Sequence, residues 1–298
     1  MKQLPLILGF LIIEGKLLGQ DIVLIRDSIM NRYMESGFSN KKFRPKGKLN
    51  DNKREGKWLD YEVKEDGFYQ VVDGKPMKTV SMYLLYGEGE FANGLRTGDW
   101  KIYVIEDKTF KKILSKTSSY LEGTENGIFQ YYYPDGGLAQ TGNYINGVIE
   151  DSSTIYYNTK EIFGLQFYKA NKKTGEQKYF YQSGKLMHIF NYTDGIREGN
   201  YASYYENGNL KESFMYKADS IDGVYHYYYS TGDLWTEKIY KTGLLLNVNK
   251  LYDKKGKELD KGTLIDGNGF VNYYTEEGKI YSRITYQNGR EVKEEKPR

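Results

Sequence analysis

The sequence predicts an all-β fold, an elongated single-layer array of tandem β-hairpins. Three observations carry the prediction: a short phrase recurs every 24 residues, Gly or Asx marks a turn every ten to fourteen residues, and Tyr is unusually abundant. YYPDGGL (132–138), YYENGNL (204–210) and YYSTGDL (228–234) are versions of that phrase. The 298 residues hold 31 Tyr and 33 Gly but 5 Pro. Tyr has an apolar ring and a polar tip, which suits a half-buried surface, and Gly without a three-residue period signals tight turns.

The repeat is read first. The aromatics closing each unit are Tyr132, Tyr156, Phe180, Tyr204, Tyr228 and Tyr252, each 24 residues after the last. Tyr274 follows after 22, and upstream Tyr103 and Tyr61 hold the same place across gaps of 29 and 42, which imply loop insertions. The consensus is Y-x-x-G-x-x-x-G-x-[WY]-x-x-Y-x-x-[DN]-G-x-L. Asp151 and Asn247 replace the second Gly, and Asn171 and Asp219 the first, so both positions are expected at positive φ, which Asn and Asp tolerate best. Lys160 replaces a turn Gly, and its turn is expected to be distorted. Glu206-Asn207-Gly208 carries the Asn-Gly signal for a tight hairpin, and runs such as Leu210 to Tyr216 alternate with period two. One unit therefore reads as one hairpin, and Gly and Asx leave no room for long helices.

At this point the residues resemble the MORN repeat in its bacterial, antitoxin-like variant. The matching stretches are FANGLRTGDW (91–100), YLEGTENGIF (120–129) and YTDGIREGNY (192–201). The resemblance implies a twisted single sheet over 48–290. It also implies protein scaffolding, lipid contact or, for antitoxin-like members, capping of a toxin. Choline- and glucan-binding wall repeats share the Gly and paired aromatics, but the MORN variant fits the turn spacing better.

The expected organisation is a signal peptide at 1–20, a lead segment at 21–47, the repeats at 48–290 and a charged tail at 291–298. Lys2 and the apolar run Leu4 to Ile13 fit a secretory signal of the Bacteroidetes type with cleavage near Gln20. The bland alternative is a buried N-terminal strand. The expected location is secreted, periplasmic or outer envelope.

Formal charge is +3, which argues against a general nucleic-acid binder and against a membrane surface. Residues 41–57 are locally basic, with eight Lys or Arg against two acids. They read as a solvated segment or an acidic-surface contact. There is no Cys for thiolate chemistry, and His188 and His226 fall at different repeat positions. No nucleotide loop or G-x-S-x-G is present, and the 40 acids sit in repeated contexts that select no catalytic pair. The expectation is a non-enzyme without cofactor or metal that binds a protein partner. The alternatives are polysaccharide binding or an antitoxin role. The candidate contact residues are Trp58, Trp100, Trp235, Tyr133, Tyr205 and Tyr229, with solenoid packing as their other reading.

Overall fold

The computed structural model describes residues 46–72, 75–105 and 111–296. The signal-peptide and lead-segment readings fall outside the described residues up to Lys46, as do the last two residues of the tail. Within them every regular element is a strand. Successive long strands pair antiparallel along the chain, from Lys46–Asn50 to Leu244–Leu251, in a sheet of 19 strand segments; the two-residue segments Lys172–Lys173, Ile196–Arg197 and Ser220–Ile221 each pair back on the strand before them. The first segment pairs only with Lys53–Val72 and the last only with Leu234–Lys241, so the sheet is open. A second sheet of three strands, Gly269–Tyr274, Ile280–Gln287 and Arg290–Glu295, follows.

Two turn types alternate, one at each edge. At one edge lie two-residue turns with both central residues at positive φ, as in Asn93-Gly94 (53° and 83°) and Asp194-Gly195 (50° and 87°). This is the backbone twist that adjoining strands need. Asn171 (66°) and Asp219 (63°) do hold the left-handed place of the first Gly. At the other edge the Asx-Gly phrase forms a three-residue turn. Gly208 N–H donates to Tyr205 C=O, Tyr205 N–H donates to Asn209 C=O, and only Gly208 (95°) is left-handed. The tight hairpin expected at Glu206-Asn207-Gly208 is thus present in a three-residue form, and the two-residue form belongs to the Y-x-x-G phrase.

Three expectations are corrected. The turn at Lys160 is not distorted: Lys160 takes φ 84° and its N–H reaches Tyr157 C=O, as Gly136 reaches Tyr133. Asp151 adopts φ 65°, but Asn247 is absent from the left-handed residues. It stays in the ladder opposite Ile239, and its side-chain oxygen accepts from Asp266 N–H. The 42-residue gap is not a loop. Lys53–Val72 and Lys75–Ala92 continue as a paired hairpin out to Val72 opposite Lys75.

Neighbouring units are joined by contacts running along the array. At the two-residue turns, the second N–H donates to a carbonyl of the preceding unit: Gly123 to Arg96, Gly147 to Glu125, Gly195 to Lys173, Gly243 to Ile221. The first N–H finds a side chain of that unit: Ala170 on Glu150, Ala218 on Glu198, Thr242 on Asp222. At the opposite edge a Tyr hydroxyl reaches a carbonyl 23 residues ahead. The five bonds are Tyr133 to Tyr156, Tyr157 to Phe180, Tyr181 to Tyr204, Tyr205 to Tyr228 and Tyr229 to Tyr252. Each unit thus contacts mainly its neighbours, as in other solenoids. The largest apolar cluster lies at the C-terminal end, where Leu245, Val248 and Leu251 pack on Leu264, Val271, Tyr274 and Tyr286.

Candidate functional site: the aromatic face and its C-terminal cleft

One face of the sheet carries a central column, Trp58, Trp100, Phe129, Ser153, Gln177, Tyr201 and Tyr225. The first six are at most 7% exposed. Among the described residues these six are covered by side chains of their own and neighbouring units. Trp100 meets Phe91 edge-on at 5.2 Å and Tyr120 at 6.1 Å, and the Arg96 guanidinium lies 4.5 Å from its ring centre. Arg54 on Trp58 and Arg197 on Tyr216 repeat the arrangement. Such cations contribute through the ring quadrupole and through the apolar stem that covers the ring.

Gln177 looks out of place among rings, yet it repeats what the indoles do. Trp58 Nε1–H donates to the carbonyls of Lys48 and Glu55, ten and three residues back. Gln177 Nε2 donates to those of Phe167 and Thr174, also ten and three back, and its Oε1 accepts from Phe167 N–H. The side chain is fully buried with both ends bonded. Spacing alone did not single it out. The signal was an amide standing where other units have Trp.

The six candidate contact residues divide. Trp58, Trp100 and Tyr229 are buried, and Trp100 and Tyr229 offer 0% and 1% of their surface. Tyr133, Tyr205 and Tyr229 donate their hydroxyls to the edge ladder. Trp235 is half-buried, stacked on Tyr229 at 4.7 Å and 7°. The fold does not bring the six together as one surface.

A polar network crosses the same face. Tyr201 and Ser203 donate to Glu212 Oε1 at 3.1 and 3.2 Å, and Tyr225 donates to Oε2 at 2.9 Å. His188 Nδ1 lies 3.0 Å from the Tyr201 hydroxyl. Since that hydroxyl gives its proton to Glu212, Nδ1 carries one of its own. Burial lowers the His188 pKa, and burial together with Glu212 pushes Tyr201 and Tyr225 up. His226 pairs with Glu237 at 3.2 Å. Among the described residues no three of His, Cys, Asp and Glu converge as metal ligands.

At the C-terminal end the repeat phrase breaks down over 252–268, and the three-stranded sheet packs on the last hairpins. A cleft of about 420 Å³ opens at this junction, lined among others by Tyr225, Tyr227, Trp235, Lys238, Tyr273 and Tyr281. Nothing in the spacing of the motifs foretold it, because it arises where the repeat fails.

Comparison with known proteins agrees with the repeat. The family model described as MORN repeat variant matches residues 125–146, 173–194 and 197–218. The unit between the first two matches, with Asp151, Lys160 and Asn171 at its Gly positions, is not matched. No curated protein matches the chain. Among solved structures, one chain of the Photorhabdus luminescens Tc holotoxin pore is similar over 68% of this chain at 12% identity, with a TM-score of 0.17. The similar region spans 15% of that toxin chain. The protein is thus an open array of β-hairpin repeats, and three of its segments are similar to the MORN repeat variant.

Proposed function

We propose that the chain is a non-enzymatic interaction scaffold that binds a partner protein. The carrying observation is the row on the face opposite the aromatic column. Ile128, Phe167, Met215 and Val224 lie there, 64%, 45%, 50% and 45% exposed. They share that face because they alternate with the column residues and lie opposite Asn143, Ser152, Asn200 and Ile239. Apolar side chains left on a surface whose Tyr and Trp are engaged elsewhere suit a protein interface. In the antitoxin-like reading the partner is a toxin, and the signal-peptide reading of the N-terminal sequence supports a location in the envelope or outside the cell. Extended polysaccharide binding is disfavoured, since it needs rings open along the array and Trp58, Trp100 and Tyr229 are covered.

The test is capture from an envelope extract by the full chain and by a Met215→Glu, Val224→Glu double variant. Support is a saturable protein partner that the variant loses while its melting temperature stays within about a degree of the parent, as surface changes should allow. Equal capture by both proteins sinks the assignment of this face.

A further inference from the structure

We propose that the cleft at the C-terminal junction is a binding site for a small carboxylate with an aromatic body. The argument begins with Lys238. Twenty-four and forty-eight residues earlier its place is held by Phe214 and Phe190, which pack on Tyr201 at 4.5 and 4.8 Å. Lys238 interrupts this series with an ammonium. It stands on the aromatic face opposite Tyr225 and Val248 in the ladder. Its Nζ lies 5.1 Å from the centre of the Tyr273 ring, and it forms no ion pair with any described carboxylate. A cation in an apolar ring stack with no carboxylate in ion-pair contact works against the packing of its own repeat. Such departures mark sites where a ligand supplies the missing partner.

The lining selects the ligand. Rings of Tyr225, Tyr227, Trp235, Tyr273 and Tyr281 present flat apolar surface. Most of the other polar groups are already bonded. Thr236 donates to Lys250 C=O, the Asn272 amide is held by Asp260 and Arg283, and the Tyr273 hydroxyl meets that of Tyr286. Glu276 is ion-paired with Lys254, and Glu291 accepts from Tyr286. The Lys238 ammonium and Trp235 Nε1–H make no protein hydrogen bond among the described residues, whereas the indoles of Trp58 and Trp100 donate to carbonyls. The Thr275 hydroxyl is also buried without a partner among them. The ammonium supplies the positive charge that a carboxylate answers. Rings outnumber the free polar groups in the lining, so an aryl body is favoured over a pyranose.

Burial depresses the Lys238 pKa to about 8, with Glu291 working in the opposite direction. Tyr225, Tyr240 and Tyr273, which face it, are all raised above the ordinary Tyr range, and Tyr240 lies at about 12. Between neutral pH and pH 9 the ammonium is therefore the group in the cleft that changes charge.

The test is calorimetric titration of the full chain with phenylacetate and indole-3-acetate, with glucuronate as the sugar-acid arm, up to about 10 mM. The expected result is saturable one-to-one binding of the aryl acids. That affinity should weaken about tenfold between pH 7 and pH 9 as the ammonium is lost. Lys238→Phe, which restores the ring series, should abolish binding with no loss of melting temperature. Tyr281→Ala, at a half-exposed ring, should weaken binding severalfold and keeps the test valid if the first variant misfolds. Absence of saturable aryl-acid binding overturns the proposal, as does undiminished binding by Lys238→Phe. Tighter binding of glucuronate overturns the aryl assignment. These outcomes are read on the purified chain and are independent of whether a protein partner is captured.

Discussion

Tyr181→Phe isolates one rung of the edge ladder. The change keeps the ring and removes the hydroxyl that donates to Tyr204 C=O at 2.7 Å. A neutral hydrogen bond of this kind contributes about 1 kcal/mol net, and a carbonyl left half-buried adds to the loss only in part. For an array of this size that corresponds to a fall of roughly 2–4 °C in melting temperature. The equivalent rungs at Tyr133, Tyr157, Tyr205 and Tyr229 lie one unit apart and share no acceptor. Their effects should therefore add, giving about 5 kcal/mol and roughly 10–20 °C for the fivefold Tyr→Phe variant. The bonds also couple neighbouring units, so the fivefold variant should unfold less cooperatively, with a shallower urea slope. Thermal and urea melts followed by far-UV circular dichroism read both quantities. A fivefold variant that melts within about a degree of the parent, with the same slope, would refute the ladder as a source of stability.

Gly89→Ala would place a Cβ 2.3 Å from the Trp100 ring, against 3.1 Å from Tyr179 for Gly164→Ala. Because Trp100 is fully enclosed, the first should cost about 2–3 kcal/mol and the second clearly less, by urea titration. Lys160→Gly should stabilise by about 0.5–1 kcal/mol. It relieves a side chain at φ 84°, and the greater freedom of Gly in the unfolded chain offsets part of the gain. Gln177→Leu should destabilise by about 2–4 kcal/mol, since it strands the N–H of Phe167 and the C=O of Thr174 without their side-chain partner. Burial raises Tyr168, Tyr229 and Tyr240 to about 12. The unfolded chain loses these protons first, so stability should be lost as pH rises above about 10, at roughly 1.4 kcal/mol per pH unit for each Tyr. A melting temperature flat from pH 9 to about 11.5 would contradict this.

The hairpin array was legible because its turns demand particular backbone conformations, and Gly, Asn and Asp record them in the sequence at fixed intervals. What the sequence hid were roles decided by partners in the next unit. The Asn207-Gly208 pair suits either hairpin turn by composition alone, and the loop length of its neighbours selects the three-residue form. Glu150, Glu198 and Asp222 look like ordinary surface acids until a turn N–H of the following unit is seen to rest on them. Lys160 gave the same local signal as a broken turn, yet the flanking strands hold it in the left-handed form. Among the candidate contact residues, Trp58 and Trp100 were visible as rings, but their enclosure depends on Phe91 and Tyr120 from the adjoining strands. The cleft was the least legible, because it depends on residues 225–238 meeting 273–281 across a stretch where the period is lost.

The two edges of the sheet differ in what they allow the gene to do. The two-residue turns are stitched to one another by main-chain bonds at every unit, so an insertion there would unpick two neighbours at once. The opposite edge is joined by side chains, the Tyr hydroxyls foremost, and there the chain has grown a long paired hairpin between Gly56 and Phe91 without disturbing the register beyond it. Duplication of a whole 24-residue block would likewise leave every seam matched. The architecture can therefore lengthen along its axis in fixed steps and extend fingers on one side only. New surface can be acquired by copying and outgrowth, with the interior left as it was.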